Sequence, residues 1–213
     1  MVQQKVKYTD TERTPAERAR ALLEEMTLDE KMAQLGCIFP FGDSYDDMEQ
    51  QALEMPYGIG QVSTLEMRRI GTLEEAAGWQ RKMQETVMRQ SPHHIPAIFH
   101  MEGLCGAFIQ EGTSFPSGIA RGSGWDPELE EKIAKVVAKQ EAACGITHIL
   151  APVLDISRDS RMGRQGETYG EDAGSGLYEG NQDNRGRRKK TGKCRQAFSR
   201  ISQFTGRYSR NEQ

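Results

Sequence analysis

Apolar and polar positions along the chain fall into blocks that alternate in period. Over 125–145, "WDPELEEKIAKVVAKQEAACG", the residues Leu129, Ile133, Val136 and Val137 fall on one face at helical spacing, and Gly145 closes the run. Three further helix starts are marked by capping boxes, "TPAE" from Thr14, "TLDE" from Thr27 and "TLEE" from Thr72. In each, the Thr hydroxyl and the Glu three residues on satisfy one another's backbone amides. Pro15 and Pro127 suit a first helical turn, where the missing N–H has no partner to lose, and Asp126 caps the fourth helix.

Short apolar runs lie between these helices: 58–65 "GIGQVSTL", 95–101 "IPAIFHM" and 146–156 "ITHILAPVLDI". Each is too short for a helix of its own and predicts a buried strand. Strands alternating with helices pair in parallel through right-handed crossovers, so the pattern predicts an α/β fold, either a barrel or an open doubly wound sheet. In both, the working loops follow the carboxyl ends of the strands. Two segments hold that position. "FHMEGLCG" carries His100 and Glu102, and "DISRDSRMGRQGETYGED" carries Asp155, Arg158, Asp159, Arg161, Arg164, Glu167, Glu171 and Asp172.

Other candidate chemistry adds little. His93 and His94 read as exposed loop residues, His148 as a hydrogen-bonded core histidine, and no ligand spacing joins them to His100 as a metal site. Cys37, Cys105, Cys144 and Cys194 form no C-x-x-C pair and read as buried apolar or incidental positions. "GLCG" and "GSGWD" match no nucleotide-binding fingerprint, so no cofactor is predicted. No run approaches the roughly 18 apolar residues of a membrane span. The first twenty residues lack the apolar core of a signal peptide, so the expectation is a cytoplasmic protein without a membrane partner.

Charge changes the picture at one end only. The 213 residues carry a formal net charge of -3, yet 181–213 hold ten Lys or Arg against two acids, Asp183 and Glu212. Periodicity is lost after Gly180 as well. The stretch reads either as a basic arm contacting nucleic acid, with Phe198, Phe204 and Tyr208 as stacking residues, or as sequence outside the gene's own reading frame.

From Thr14 to Asp172 the chain resembles a known family. "MTLDEKMAQL", "IPAIFHMEGLCG" and "TSFPSGIARGSGWDPELEEKIAKVVAKQEAACGITHILAPVLDISRDSRMGRQGETYGED" are similar, in that order, to the amino-terminal catalytic domain of glycoside hydrolase family 3. The resemblance implies a (β/α)8 TIM-type barrel, present here as its amino-terminal portion. It also implies retaining exo-hydrolysis of terminal β-linked glucose or xylose, of β-glucosidase type, without cofactor or nucleic acid. Retention needs two carboxyl groups about 5 to 5.5 Å apart. In the family the nucleophile stands downstream in an "SDW"-type motif, so the nucleophile and the acid/base are both expected outside this chain. What carries over is half of the sugar-holding shell. Glu102 stands where the family's carboxylate accepts hydrogen bonds from sugar hydroxyls, and Arg164 is the arginine of the "R-x-G-R" run that grips two adjacent hydroxyls. Cys105 stands where the family commonly has histidine and Met162 where it commonly has tryptophan, departures that bear on subsite shape.

The basic stretch takes on a different meaning beside that family. Pairing the last two bases of each codon with the first base of the next, the genetic code permits V-A-K-H-F-L-A-F-H-N-S-Q-G-G-I-H-G across "CRQAFSRISQFTGRYSR". This resembles the family's Lys-His sugar-binding segment. The expected organisation is therefore 1–172 as the amino-terminal part of the catalytic domain and 173–213 as out-of-frame, disordered sequence. An inactive fragment with exposed sheet edges is expected. Two alternatives stand beside it: a small binding protein with a nucleic-acid-contacting tail, and a non-catalytic sugar-binding remnant using Glu102 and Arg164.

Overall fold

The structure, a computed structural model, describes residues 7–42 and 44–171. The stretch 173–213, with the expected frame change and the alternative basic arm, lies outside the described residues, as does Asp172. Helices α1 (Pro15–Glu25) and α2 (Leu28–Leu35) precede strand β1 (Cys37–Ile38). Then follow α3 (Tyr45–Leu53), β2 (Gln61–Ser63), α4 (Leu73–Gln90), β3 (Ile98–Met101), α5 (Gly118–Gly122), α6 (Pro127–Ala143) and β4 (His148–Ile149). The four strands form one parallel sheet in chain order, β1-β2-β3-β4. A parallel sheet grown at one edge by successive strand–helix units is the start of a (β/α)8 barrel, as the resemblance implies.

The helix starts follow the caps. Thr14, Thr27 and Thr72 each accept from the amide three residues on, and Glu17, Glu30 and Glu75 bond back to the cap amides. Asp126 accepts from the amides of Glu128 and Leu129. Three elements were not foreseen: α3, β1 and the five-residue α5. Helix α3 carries the same box in the shorter form Ser44–Asp47, where Asp47 still reaches the Ser44 amide at 3.0 Å. Strand β1 has only two residues and no periodicity to show. The foreseen strands are shorter than their apolar runs. Only the residues that find a ladder partner are paired, and past β4 the chain meets Pro152, which has no N–H to offer.

One face of the sheet holds the core. Val62, Phe99 and Met101 are buried against Met48 and Ala52 of α3, Ala76, Trp79, Met83 and Val87 of α4, and Ile146. Trp79 meets Phe99 edge-to-face at 6.5 Å. The other face is open: Cys37 and His148 are exposed, and Ile98 is 45% exposed. Helix α6 corrects its predicted face. Leu129 is 51% and Val136 38% exposed, whereas the buried positions are Glu130, Ile133, Ala134, Val137 and Glu141. The inward stripe is thus flanked by two glutamates, and the apolar count alone pointed about one position off it. No described helix is long and apolar enough to cross a membrane.

Core and periphery are expected to separate cleanly in urea unfolding. Phe99→Ala removes a fully buried ring and should lower the unfolding free energy by about 3–5 kcal/mol. Leu129→Ala on the outer face of α6 should change it by less than about 1 kcal/mol.

Candidate functional site

Parallel strands send all their carboxyl ends to one side, so the loops after β3 and β4 open on the same edge of the sheet. Glu102 is half-buried and directly follows Met101 of β3. Arg164 sits between two single 3-10 turns, Ser160–Met162 and Gln165–Glu167, and is exposed. Its Nε donates to both carboxylate oxygens of Glu167, at 2.9 and 3.0 Å, and Nη2 adds a third bond at 2.5 Å. This fork-on-fork grip fixes the guanidinium plane. Glu167 holds the Arg164 pKa above its ordinary value, and the charge of Glu102 adds a smaller push in the same direction. The structure therefore brings Glu102 and Arg164 into one electrostatic neighbourhood from separate loops.

The other charged residues of the second loop are engaged within it. Arg161 clasps both oxygens of Asp159, and Arg158 Nε donates to the Glu171 carbonyl at 3.2 Å. Asp155 is exposed. These are solvent-side contacts that fix loop shape and contribute little stability.

What ties the two loops together was not singled out from the sequence. Arg121 of α5 donates from Nη2 to the Leu104 carbonyl at 2.9 Å and to the Tyr169 phenol at 3.0 Å. Its Nη1 lies 3.2 Å from Glu130 Oε1 of α6, and the phenol donates to that same oxygen at 2.5 Å. The guanidinium carbon also stands 5.4 Å from the Tyr169 ring centroid, within cation–π range. Both members of the ion pair are buried. One cluster thus holds the loop carrying Glu102, helix α6 and the segment carrying Arg164. Backbone packing reinforces it: a Cβ on Gly118 would lie 2.3 Å from the Glu167 carbonyl oxygen, and one on Gly122 2.3 Å from that of Tyr169. Only glycine lets α5 approach so closely. A signal for Glu130 was present, since it precedes Ile133, Ala134 and Val137 by three, four and seven residues on the same face.

The histidines divide differently from expectation. His148 is exposed rather than a core residue, because it lies on the open face of the sheet. Its neighbour across the ladder is His100, with ring centroids 6.4 Å apart, and burial first and His148 second hold the His100 pKa below its ordinary value. His93 is not a free loop residue: its Nε2 stands 3.6 Å from Glu30 and its ring meets Tyr8 edge-on at 5.6 Å. His94 is exposed as expected. Cys144 is buried, Cys105 half-buried and Cys37 exposed, all as free thiols. No three His, Cys, Asp or Glu side chains among the described residues converge as metal ligands.

Comparison with known proteins gives the family and the fold. Residues 27–183 match the family described as glycosyl hydrolase family 3 N terminal domain. A periplasmic beta-glucosidase of Salmonella typhimurium is 31% identical over 151 residues, 71% of this chain and 18% of that protein. A putative beta-xylosidase of Formosa agariphila is 28% identical over 171 residues, 78% of this chain and 22% of its own. The chain thus spans about a fifth of the length of these relatives. Among solved structures, a β-glucosidase from Erythrobacter marinus superposes with a TM-score of 0.72 at 29% identity, over 92% of this chain and 24% of that one.

Two outcomes follow from the buried charges. Arg121→Met should lower the unfolding free energy by about 3–5 kcal/mol, because it strands Glu130 without its cation, and Arg121→Met with Glu130→Met should recover much of that loss. The pH dependence of stability should carry the mark of Glu141, whose carboxyl is pushed up from 4.5 to about 8 by burial first and by Glu102 second. The folded chain then keeps a proton that the unfolded chain has released. The contribution of Glu141 is full below pH 4.5 and is lost as pH rises to about 8, a difference on the order of 5 kcal/mol. Urea titrations at successive pH values should show this slope in the wild type and its loss in Glu141→Gln.

Proposed function

Since the chain belongs to glycoside hydrolase family 3, through that family's N-terminal domain, we propose that it is the sugar-holding part of a retaining exo-β-glycosidase of β-glucosidase type. Glu102 and Arg164 take the terminal β-linked glucose or xylose. The observation that carries the reading is their convergence: a half-buried carboxylate and an exposed, pre-oriented guanidinium act on one another across the ends of β3 and the segment after β4. A carboxylate accepts from two hydroxyls, and a planar guanidinium donates to two more, which fixes a pyranose ring in register. The relatives' names, beta-glucosidase and beta-xylosidase, support the same substrate class.

The reaction itself needs two carboxyl groups about 5 to 5.5 Å apart on opposite sides of the scissile bond. Glu102 serves binding in this reading, so the attacking aspartate and the proton donor come from elsewhere in the gene. We infer that the frame changes at or just after Asp172, and that the shifted letters K-H within "CRQAFSRISQFTGRYSR" supply the next sugar contacts. The chain as given then binds without cleaving.

Calorimetric titration with glucose is expected to show binding, weakened about 10–100-fold by Glu102→Gln and by Arg164→Ala. Unchanged affinity in both variants would remove the assignment. An aryl β-glucoside should not be hydrolysed by the 213-residue chain. Resequencing the gene through the codons for residues 165–213 should give a frame that reads through Lys-His into an "SDW" motif; an uninterrupted frame with the same basic residues would overturn the frame reading.

A further inference from the structure

Glu141 ends the inward stripe of α6, and nothing in the contacts above uses it. Its side chain is fully buried, and neither carboxyl oxygen has a hydrogen-bond partner among the described residues. It stands against the turn that carries Glu102. A Cβ placed on Gly103 would lie 3.0 Å from Glu141 Oε1, 2.6 Å from Ile149 Cγ2 and 3.6 Å from Ala151 Cβ. Gly103 has φ +67° and directly follows Glu102, so the buried carboxyl lies immediately behind the proposed sugar ligand, walled in by the end of β4.

The titratable groups facing Glu141 are Glu102 from the β3 loop and Cys144 from the end of its own helix. Cys144 is buried, and burial first and Glu141 second push its thiol up to about 11, so it stays neutral. Arg164 acts on Glu102 from the solvent side and is already gripped by Glu167. No Lys, Arg or His among the described residues pairs with Glu141. An ionised carboxylate buried without a partner is strongly disfavoured, and a second negative charge close by disfavours it further. Glu141 is therefore the member of the pair that is held neutral, by burial first and by the Glu102 charge second.

We propose that Glu141 is a positioning residue of the sugar site, a neutral carboxylic acid behind the Glu102–Gly103 turn whose ionisation displaces the Glu102 carboxylate and weakens sugar binding. The inference rests on Glu102 being a sugar ligand. With Glu141 neutral, the turn packs on it and the Glu102 oxygens face the sugar. When Glu141 ionises, two carboxylates repel across Gly103, and the outer one moves. Linkage requires the converse: sugar binding retains the proton on Glu141, so at alkaline pH binding takes up protons from solution.

The test uses the 213-residue chain and glucose across about pH 6 to 9.5. Calorimetry in buffers of different ionisation enthalpy should show an affinity that is level at neutral pH and falls about tenfold at the alkaline end, with proton uptake. Glu141→Gln should bind as the neutral wild type does, with neither the fall nor the uptake. The same alkaline fall in Glu141→Gln would overturn the proposal, because a merely structural role leaves the pH profile unmoved. Carboxyl-carbon NMR of the sugar-free wild type provides a readout that needs neither variant nor ligand. There the Glu102 resonance should move as Glu141 ionises, and a Glu102 resonance that stays still while Glu141 ionises refutes the pairing. Absence of glucose binding at every pH sinks the sugar reading and the positioning role with it, while a Glu102 resonance that moves with the ionisation of Glu141 would still identify the coupled pair.

Discussion

A guanidinium and a carboxylate taken out of water destabilise a fold unless each finds its partner, and here Arg121 and Glu130 meet at 3.2 Å with the Tyr169 phenol between them. The same guanidinium holds the Leu104 carbonyl. Three stretches with little reason to meet, the loop after β3, the start of α6 and the segment beyond the second 3-10 turn, are therefore fixed to one point. Glu102 lies two residues before Leu104, and Arg164 five before Tyr169. Neither Glu102 nor Arg164 is held in place by a strand or a long helix. The charge cluster supplies the rigidity that regular structure would otherwise give.

Helix α6 also shows that position on a helix does not settle what a buried acid does. Glu130 and Glu141 occupy the same inward stripe. Near the helix start, Glu130 finds a cation and a hydroxyl. Near its end, Glu141 finds another acid. The first joins distant segments together; the second leaves a neutral group beside a charged one, a pair able to respond to protons. The difference comes from the neighbouring chain segments and not from the helix.

How much of this could be read beforehand follows from the range of each interaction. The capping boxes at Thr14, Thr27 and Thr72 close within four residues, and the helices start where those residues say. The Ser44–Asp47 box is just as local, and it escaped notice because its acid is one methylene shorter. Motif order singled out Glu102 and Arg164, and in the folded chain the Glu102 charge reaches the Arg164 guanidinium. The inner face of α6 could not be found by counting apolar residues, since Glu130 and Glu141 occupy it while Leu129 and Val136 face outward. His148 was misread for a related reason. A strand residue belongs to the core only if its face of the sheet is covered, and that depends on elements far away in the chain. Arg121 and Tyr169, 48 residues apart, carry no local mark of their meeting.

The sheet has one further property. Its spatial order is its chain order, so each strand pairs with the one made just before it. On the ribosome, where the amino-terminal end emerges first, β2 finds β1 already present, β3 finds β2, and β4 finds β3. Among the four described strands each finds its predecessor already made, and the loop that must close at each step is one or two helices and their connections. The charge cluster breaks this order. Arg121 and Glu130 emerge before Tyr169 does, so all four described strands are made before the loops at their ends can be drawn together.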